Sequence, residues 1–391
     1  MNRKSLYRQT LCWGGAMLLG ASGLFTGSTA SAQSGEKPYK IDPDSVTVSG
    51  ISSGGDLAHQ LHIAHSSLIR GAGLLAAAPY YCAKSNANAA MEYCSRFAAD
   101  ATGGKYTGPP DGNYINGLVT ATHTAFTNQQ IDNPANVVDD KVYLFSGGKD
   151  TKVPQEIMDT VQLYYTKLGV SPDNIVYIKT VPAGHAMVTD DFGNQCDTSA
   201  TPFINKCPNG DVARQLLTHI YGPLAPPAAA ADGQIVKFCQ KTFFVAGDKA
   251  SMDDFGHAYV PKACAKGELC KLHVAFHGCR QNDDEIQAQF YSRAGYNEWA
   301  EANNIIILYP QVQQTAGTNP YACWDWWGYS GPNYHTQAGK QVAAVKGMID
   351  RVVAGGPLPP ETAAECTTVD ACAACSMWTR WLCNLGWWSC K

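Results

Sequence analysis

Three residue types that together turn a hydroxyl into a nucleophile stand just past apolar runs in this chain. The first is the serine of Gly50-Ile51-Ser52-Ser53-Gly54, after the alternating run Val46-Thr47-Val48 and before a helix-like stretch starting near Gly55. Gly-x-Ser-x-Gly between strand and helix is the sequence form of a nucleophile elbow. The bend is so sharp that the residues two before and two after the serine have room only for hydrogen, hence Gly50 and Gly54. Ser52 would then sit at a helix N-terminus, where backbone N–H groups and the helix dipole favour negative charge on a bound oxyanion. Without partners the same pentapeptide is a glycine-serine turn with no chemistry.

The partners follow in order. Lys141-Val142-Tyr143-Leu144-Phe145 reads as a buried strand and leads into Ser146-Gly147-Gly148-Lys149-Asp150. A second strand, Asn174 to Thr180, leads into Pro182-Ala183-Gly184-His185. Each candidate thus lies past the carboxyl end of a strand, the edge where open α/β sheets place their sites. Ser52, Asp150 and His185 also keep the order nucleophile, acid, base found in α/β-hydrolases. The chemistry requires all three: an imidazole takes the serine proton, and a buried carboxylate sets the imidazole's tautomer and stabilises its charged form. Asp139 and Asp140 precede their strand and Asp190 and Asp191 crowd His185, so all four are badly placed for the acid. His59, His62 and His65 fall on roughly one side of the helix after Ser52. Lacking a companion set with ligand spacing, they are expected to be structural and partly exposed.

The elements that position these residues belong to an exported chain. Residues 1–32 open with Arg3, Lys4 and Arg8, continue through an apolar core from Leu11 to Phe25 and end in Ala30-Ser31-Ala32. That is a secretory signal peptide, and its core is shorter than the ~20 apolar residues of a membrane span. It carries one of the 15 cysteines, three of the 29 basic residues and none of the 33 acidic ones. Fourteen cysteines remain, and the formal charge moves from −4 to −7. An even count in an exported chain reads as a disulfide framework. Local spacing suggests Cys82–Cys94, Cys196–Cys207, Cys264–Cys270 and Cys279–Cys323. The negative charge argues against nucleic acid or an anionic membrane as partner.

Residues 83–136 read as a polar excursion over the surface near the site. After a linker-like Pro223–Ala231 stretch come further pieces of the same sheet. Lys271 to Phe276 is a strand ending in His277-Gly278-Cys279, Phe290 to Asn303 is helical, Ile305 to Tyr309 is a buried strand, and Thr336 to Val353 is a helix. A His-Gly turn after a strand is the kind that supplies a second oxyanion-hole N–H. In the usual α/β-hydrolase order that strand precedes the nucleophile. The economical reading is a circularly permuted α/β-hydrolase sheet.

Taken together, the elbow near the mature start, Gly184-His185, the strand ending His277-Gly278-Cys279, Leu308-Tyr309-Pro310 and Asn319-Pro320-Tyr321-Ala322-Cys323-Trp324-Asp325-Trp326-Trp327 resemble the extracellular polyhydroxybutyrate depolymerases. The likeness is to the permuted type with an N-terminal lipase box and covers roughly residues 40–353. It implies hydrolysis of short-chain poly(3-hydroxyalkanoate) esters outside the cell, on solid or oligomeric polyester. By position it implies Ser52 as nucleophile, Asp150 as acid and His185 as base, with the N–H groups of Ser53 and Cys279 as the oxyanion hole. Trp324, Trp326 and Trp327 would line the cleft for one polymer strand, Trp327 above all, unless they are core packing. No metal or organic cofactor is needed, and a monomer is expected.

The domain organisation expected is a signal peptide (1–32), a catalytic domain (33–354), a linker (355–365) and a tail (366–391) with five cysteines and four tryptophans. So small a segment needs bridges to fold, and its aromatics suit an apolar solid, although a disulfide clamp on the catalytic domain is the plainer alternative. The odd cysteine of the five would pair with Cys239 or stay free. Two other functions fit parts of the pattern: a feruloyl or acetylxylan-type esterase, and a non-catalytic surface-binding protein on a hydrolase scaffold.

Overall fold

Parallel strands covered on both faces are apolar on both sides, and the strands Gly71–Leu75, Lys141–Phe145 and Ile305–Tyr309 of this chain are buried nearly throughout. A computed structural model of the protein describes residues 39–97, 103–245, 250–362 and 366. The signal-peptide reading and the tail beyond Cys366 lie outside the described residues. The strands are β1 (Lys40–Ile51), β2 (Gly71–Leu75), β3 (Lys141–Phe145), β4 (Ile175–Ile178), β5 (Met187–Thr189), β6 (Asn194–Gln195) and β7 (Ile204–Lys206). They continue with β8 (Gln234–Cys239), β9 (Phe255–Val260), β10 (Leu269–Phe276) and β11 (Ile305–Tyr309).

Eight of them form one sheet in the order β4-β3-β2-β1-β10-β11-β9-β8. The six from β4 to β11 run parallel, while β9 and β8 are antiparallel to their neighbours. β1 therefore lies in the middle, with the strands encoded next on one side and those encoded last on the other. Val48 pairs with Val274 and Ala72, and Gly50 with Phe276 and Leu74, so the two halves meet at the elbow. This is a mixed α/β-hydrolase-like sheet.

Period-two alternation divides the core into two layers. Val46, Val48, Leu74, Leu144, Val274 and Leu308 face one side, where α1 (Ser53–Ala64) and the helices Gln155–Leu168 and Lys340–Val353 pack. Ile51, Leu75, Phe145, Ala275, Ile307 and Tyr309 face the other, under helices Val212–Tyr221 and Asn297–Asn303. No helix among the described residues is long and apolar enough to cross a membrane.

Several local expectations change. The 83–136 excursion holds a 16-residue helix, Gly112–Thr127, capped by the Asp111 side chain accepting the Tyr114 N–H at 2.7 Å. Its buried positions Ile115, Leu118, Thr122 and Ala125 follow helical spacing. The expected helix Phe290–Asn303 is two helices, Gln289–Arg293 and Asn297–Asn303, separated at Gly295 in left-handed conformation with φ 86°. The histidines of α1 are buried rather than partly exposed. His62 lies between the Tyr165 hydroxyl at 2.8 Å and Asp140 Oδ2 at 3.0 Å, and burial drives His59 down to about 3. Asp140, weighed above as a rival acid, is thus tied to His62 at the opposite end of β3 from the site.

All four suggested bridges form, and Cys239–Cys366 joins β8 to the first tail cysteine. Of the expected linker, Leu358 is buried, the Cys239 N–H donates to Pro359 O at 2.9 Å, and Pro360 bridges Phe238.

Candidate active site

The elbow has the backbone its glycines require. Ser52 sits between β1 and α1 with φ 56° and ψ −128°, a conformation a side-chain-bearing residue holds at a cost of about 1–3 kcal/mol. Its N–H donates to Leu75 O at 2.8 Å, and its carbonyl accepts the Asp56 N–H at 3.0 Å. A Cβ on Gly50 would lie 2.3 Å from Gly54 O, and one on Gly54 would lie 2.3 Å from His277 O. The second contact joins chain segments over two hundred residues apart: the elbow can be this tight only with β10 against β1.

Two loops bring the acid and the imidazole together. The N–H groups of Gly148 and Lys149 donate to Val181 O (2.8 Å) and Ala183 O (2.9 Å), and a Cβ on Gly147 would meet Ala183 O at 2.3 Å. The loops after β3 and β4 are therefore zipped backbone to backbone. Within them His185 Nδ1 lies 2.8 Å from Asp150 Oδ2. Asp150 Oδ1 accepts the N–H groups of Lys152 (2.8 Å) and Val153 (2.9 Å). A carboxylate so engaged accepts at Oδ2 as well, so Nδ1–H donates and Nε2 keeps its lone pair. The His185 N–H donates to Ser199 Oγ at 2.8 Å, and Phe203 stands edge-on to the ring. Ser199 and Phe203 lie around the small sheet β5-β7-β6, closed by Cys196–Cys207. Ser52 and His185 line one cavity of about 70 Å³, together with Phe203, Lys152 and Arg280.

The turn after β10 forms a neighbouring wall of that cavity. The Gly278 N–H is taken by Gln281 Oε1 at 2.8 Å, and the Gln281 amide donates to Pro202 O and Phe203 O. Burial lowers His277 to about 4. Its Nε2 accepts the Val312 N–H at 3.4 Å, which leaves Nδ1–H to donate to Gly278 O at 2.7 Å. The turn is thus held from both sides with Cys279 on the cavity wall. Ser53 Oγ accepts the Trp324 N–H at 3.2 Å and lies 3.3 Å from Cys279 Sγ.

Comparison with known proteins fits this arrangement. A family model described as esterase PHB depolymerase matches residues 256–373. A polyhydroxybutyrate depolymerase from Talaromyces funiculosus is 35% identical over 333 residues, covering 81% of this chain and 92% of that one. The chain belongs to the PHB depolymerase family. Another family member, a poly(3-hydroxybutyrate) depolymerase from Delftia acidovorans, is 43% identical over 332 residues, 83% of this chain. The match spans 63% of the length of that relative. The crystal structure of the PHB depolymerase from Penicillium funiculosum superposes with a TM-score of 0.72 at 32% identity, covering 82% of this chain and 99% of that one. A PHB depolymerase with a serine-to-alanine substitution, complexed with an R3HB trimer, superposes equally well.

This family member has a second, larger cavity of about 310 Å³ that also opens on Ser52. Trp326 and Trp327 line it with Met91, Phe97 and Tyr321. Trp324 does not: it is fully buried against Phe276 and His277, at ring separations of 5.2 and 5.5 Å, so its expected place in the cleft is corrected to the core. Its two successors differ because the chain from 325 to 330 wraps the Asp325 carboxylate, whose oxygens accept the N–H groups of Trp327, Gly328, Tyr329 and Ser330. Cys279–Cys323 ties this loop to the turn after β10.

Sequence reasoning missed Ser199, Phe203, Gln281 and Asp56. Their partners are the loops of other elements, and no local spacing marks them. Among the described residues no group of three or more His, Cys, Asp or Glu has the arrangement of a metal site.

Proposed function

We propose that this chain is a secreted serine esterase that hydrolyses poly(3-hydroxybutyrate) and related short-chain polyesters on a permuted α/β-hydrolase sheet. The observation that carries the reading is that His185, oriented by Asp150, shares a cavity with a serine held at a strained elbow. Membership of the PHB depolymerase family and likeness to a structure complexed with an R3HB trimer support the substrate class.

Ser52 Oγ attacks the ester carbonyl while His185 Nε2 takes its proton. The carbonyl oxygen becomes an oxyanion held by the N–H groups of Ser53 and Cys279. The protonated imidazole, stabilised by Asp150, passes its proton to the leaving alcohol, and the acyl group stays on Ser52 as an ester. Water enters, His185 takes its proton, and the second tetrahedral intermediate collapses to release the acid and restore Ser52. The polymer strand lies along the larger cavity against Trp326 and Trp327. The five disulfides among the described residues suit an oxidising compartment reached through the leader at 1–32. The organisation then is a catalytic domain at 33–354, a linker at 355–365 and an adsorbing tail at 366–391.

The test sets clearing of a poly(3-hydroxybutyrate) suspension against release of ferulate or acetate from plant polysaccharide esters. Clearing with negligible ferulate or acetate release is expected, and the reverse pattern would overturn the polyester reading. Trp327→Ala should slow clearing about tenfold while hydrolysing p-nitrophenyl acetate at close to the normal rate, because only an extended substrate reaches the indole. Equal effects on both substrates would remove Trp327 from the binding surface.

A further inference from the structure

A carboxyl group on the wall of the larger cavity takes no part in the steps above. Asp56 lies one helical turn after Ser52 on α1 and lines that cavity with Trp326 and Trp327. Its Oδ1 accepts the Ala78 N–H at 2.7 Å. Among the described residues, the groups around it bring no cation. His59 on its own helix and His335 beyond it are lowered to about 3 and about 4 by burial and are neutral. Tyr80 and Tyr81 come from the segment after β2. Tyr334 stands near Asp56, Asp325, Tyr80 and Tyr81, and burial holds its phenol well above its ordinary range. Burial likewise lifts the Asp56 carboxyl to about 8, against the opposing effect of the Ala78 hydrogen bond, so it carries its proton at neutral pH. Among the described residues lining the cavity, the other ionisable group is Tyr321.

A neutral acid at this place has a chemical counterpart. The repeating unit of a polyester offers hydrogen-bond acceptors and no donors. An ester carbonyl drawn out of water between aromatic walls loses its solvent partners and needs a replacement. A carboxylate would repel that oxygen, whereas a carboxylic acid can donate to it.

We propose that Asp56 is a specificity-determining residue whose carboxyl O–H donates a hydrogen bond to the carbonyl oxygen of the ester unit beside the scissile one. The proposal rests on the polyester reading and names one of its recognition groups. It separates long substrates from short ones, because an acetate ester ends at Ser52 and cannot reach Asp56.

The experiment follows the ratio of kcat/KM for a 3-hydroxybutyrate trimer to that for p-nitrophenyl acetate across pH. Both substrates share Ser52 and His185, so the ratio cancels their titration. The donating form exists below the pKa of Asp56 and is lost above it. The wild-type ratio should therefore fall about tenfold from about pH 6.5 to about pH 9.5, as a donor is exchanged for a repelling charge. Asp56→Asn keeps an oxygen for the Ala78 N–H and an N–H₂ for the substrate and does not ionise; its ratio should be flat over the same range. A purely structural Asp56 would leave the wild-type ratio flat, and a fall that persists in Asp56→Asn would assign it to another group; either result overturns the proposal. If the wild type clears no polymer and cleaves no trimer at any pH, the polyester reading fails and this inference with it. Trimer cleavage with a flat ratio overturns the Asp56 role alone.

Discussion

Ser52→Ala should lower kcat on polymer and on p-nitrophenyl esters by about a million-fold, with fold and adsorption to polymer granules intact. In the proposed mechanism the Ser52 hydroxyl is the atom that forms the acyl ester. The substitution is clean because alanine keeps the Cβ, so the strained backbone at φ 56° is burdened as before. Residual hydrolysis some thousand-fold above water would come from the two backbone donors proposed for the oxyanion and from binding. Steady-state hydrolysis and co-sedimentation with granules, run side by side, provide the check. A variant within tenfold of wild type would remove Ser52 from the chemistry. A variant that fails to sediment would make the elbow part of the binding surface.

Asp150→Asn should cost about four orders of magnitude in kcat while leaving the site's geometry in place. The asparagine oxygen can still accept the N–H groups of Lys152 and Val153, which hold Asp150 Oδ1 now. What changes is the group facing His185 Nδ1. An amide N–H₂ donates where the carboxylate accepted, so the favoured tautomer carries its proton on Nε2. An imidazole of that form cannot take the Ser52 proton, and its charged form loses a buried counter-charge. Thermal unfolding should show a shift of only a few degrees alongside the kinetic loss. A loss below about a hundredfold would mean that another group orients His185.

The parts of this molecule legible from sequence alone are those written in short-range pattern. The elbow declares itself because steric exclusion acts between residues two positions apart, and glycine answers it at both places. Strands β2, β3 and β11 are legible because a strand buried on both faces must be apolar throughout. Four bridges close loops of 6 to 44 residues, which proximity along the chain suggests, and the fifth spans 127 and could only be offered as one of two choices. The helix Gly112–Thr127 is not legible: its threonines and glycines hide the period of Ile115, Leu118, Thr122 and Ala125, and the stretch reads as a surface excursion.

Tertiary structure alone decided matters that depend on which loops meet. Trp324, Trp326 and Trp327 are equivalent as sequence, yet the first fills the core and the other two face the cavity, because the loop turns about a buried Asp325. Asp140 and Asp150 are both acids beside the same strand. Only the zipper between the loops after β3 and β4 gives the second to His185, while α1 presents His62 to the first. The chain on its own determined that a serine, a carboxylate and an imidazole would stand at one edge of a sheet, since strand direction and element order set that much. Their meeting, and the closeness of Gly54 to a carbonyl encoded over two hundred residues later, had to await the packing of β10 against β1, since contacts so distant along the chain leave no periodic trace within it.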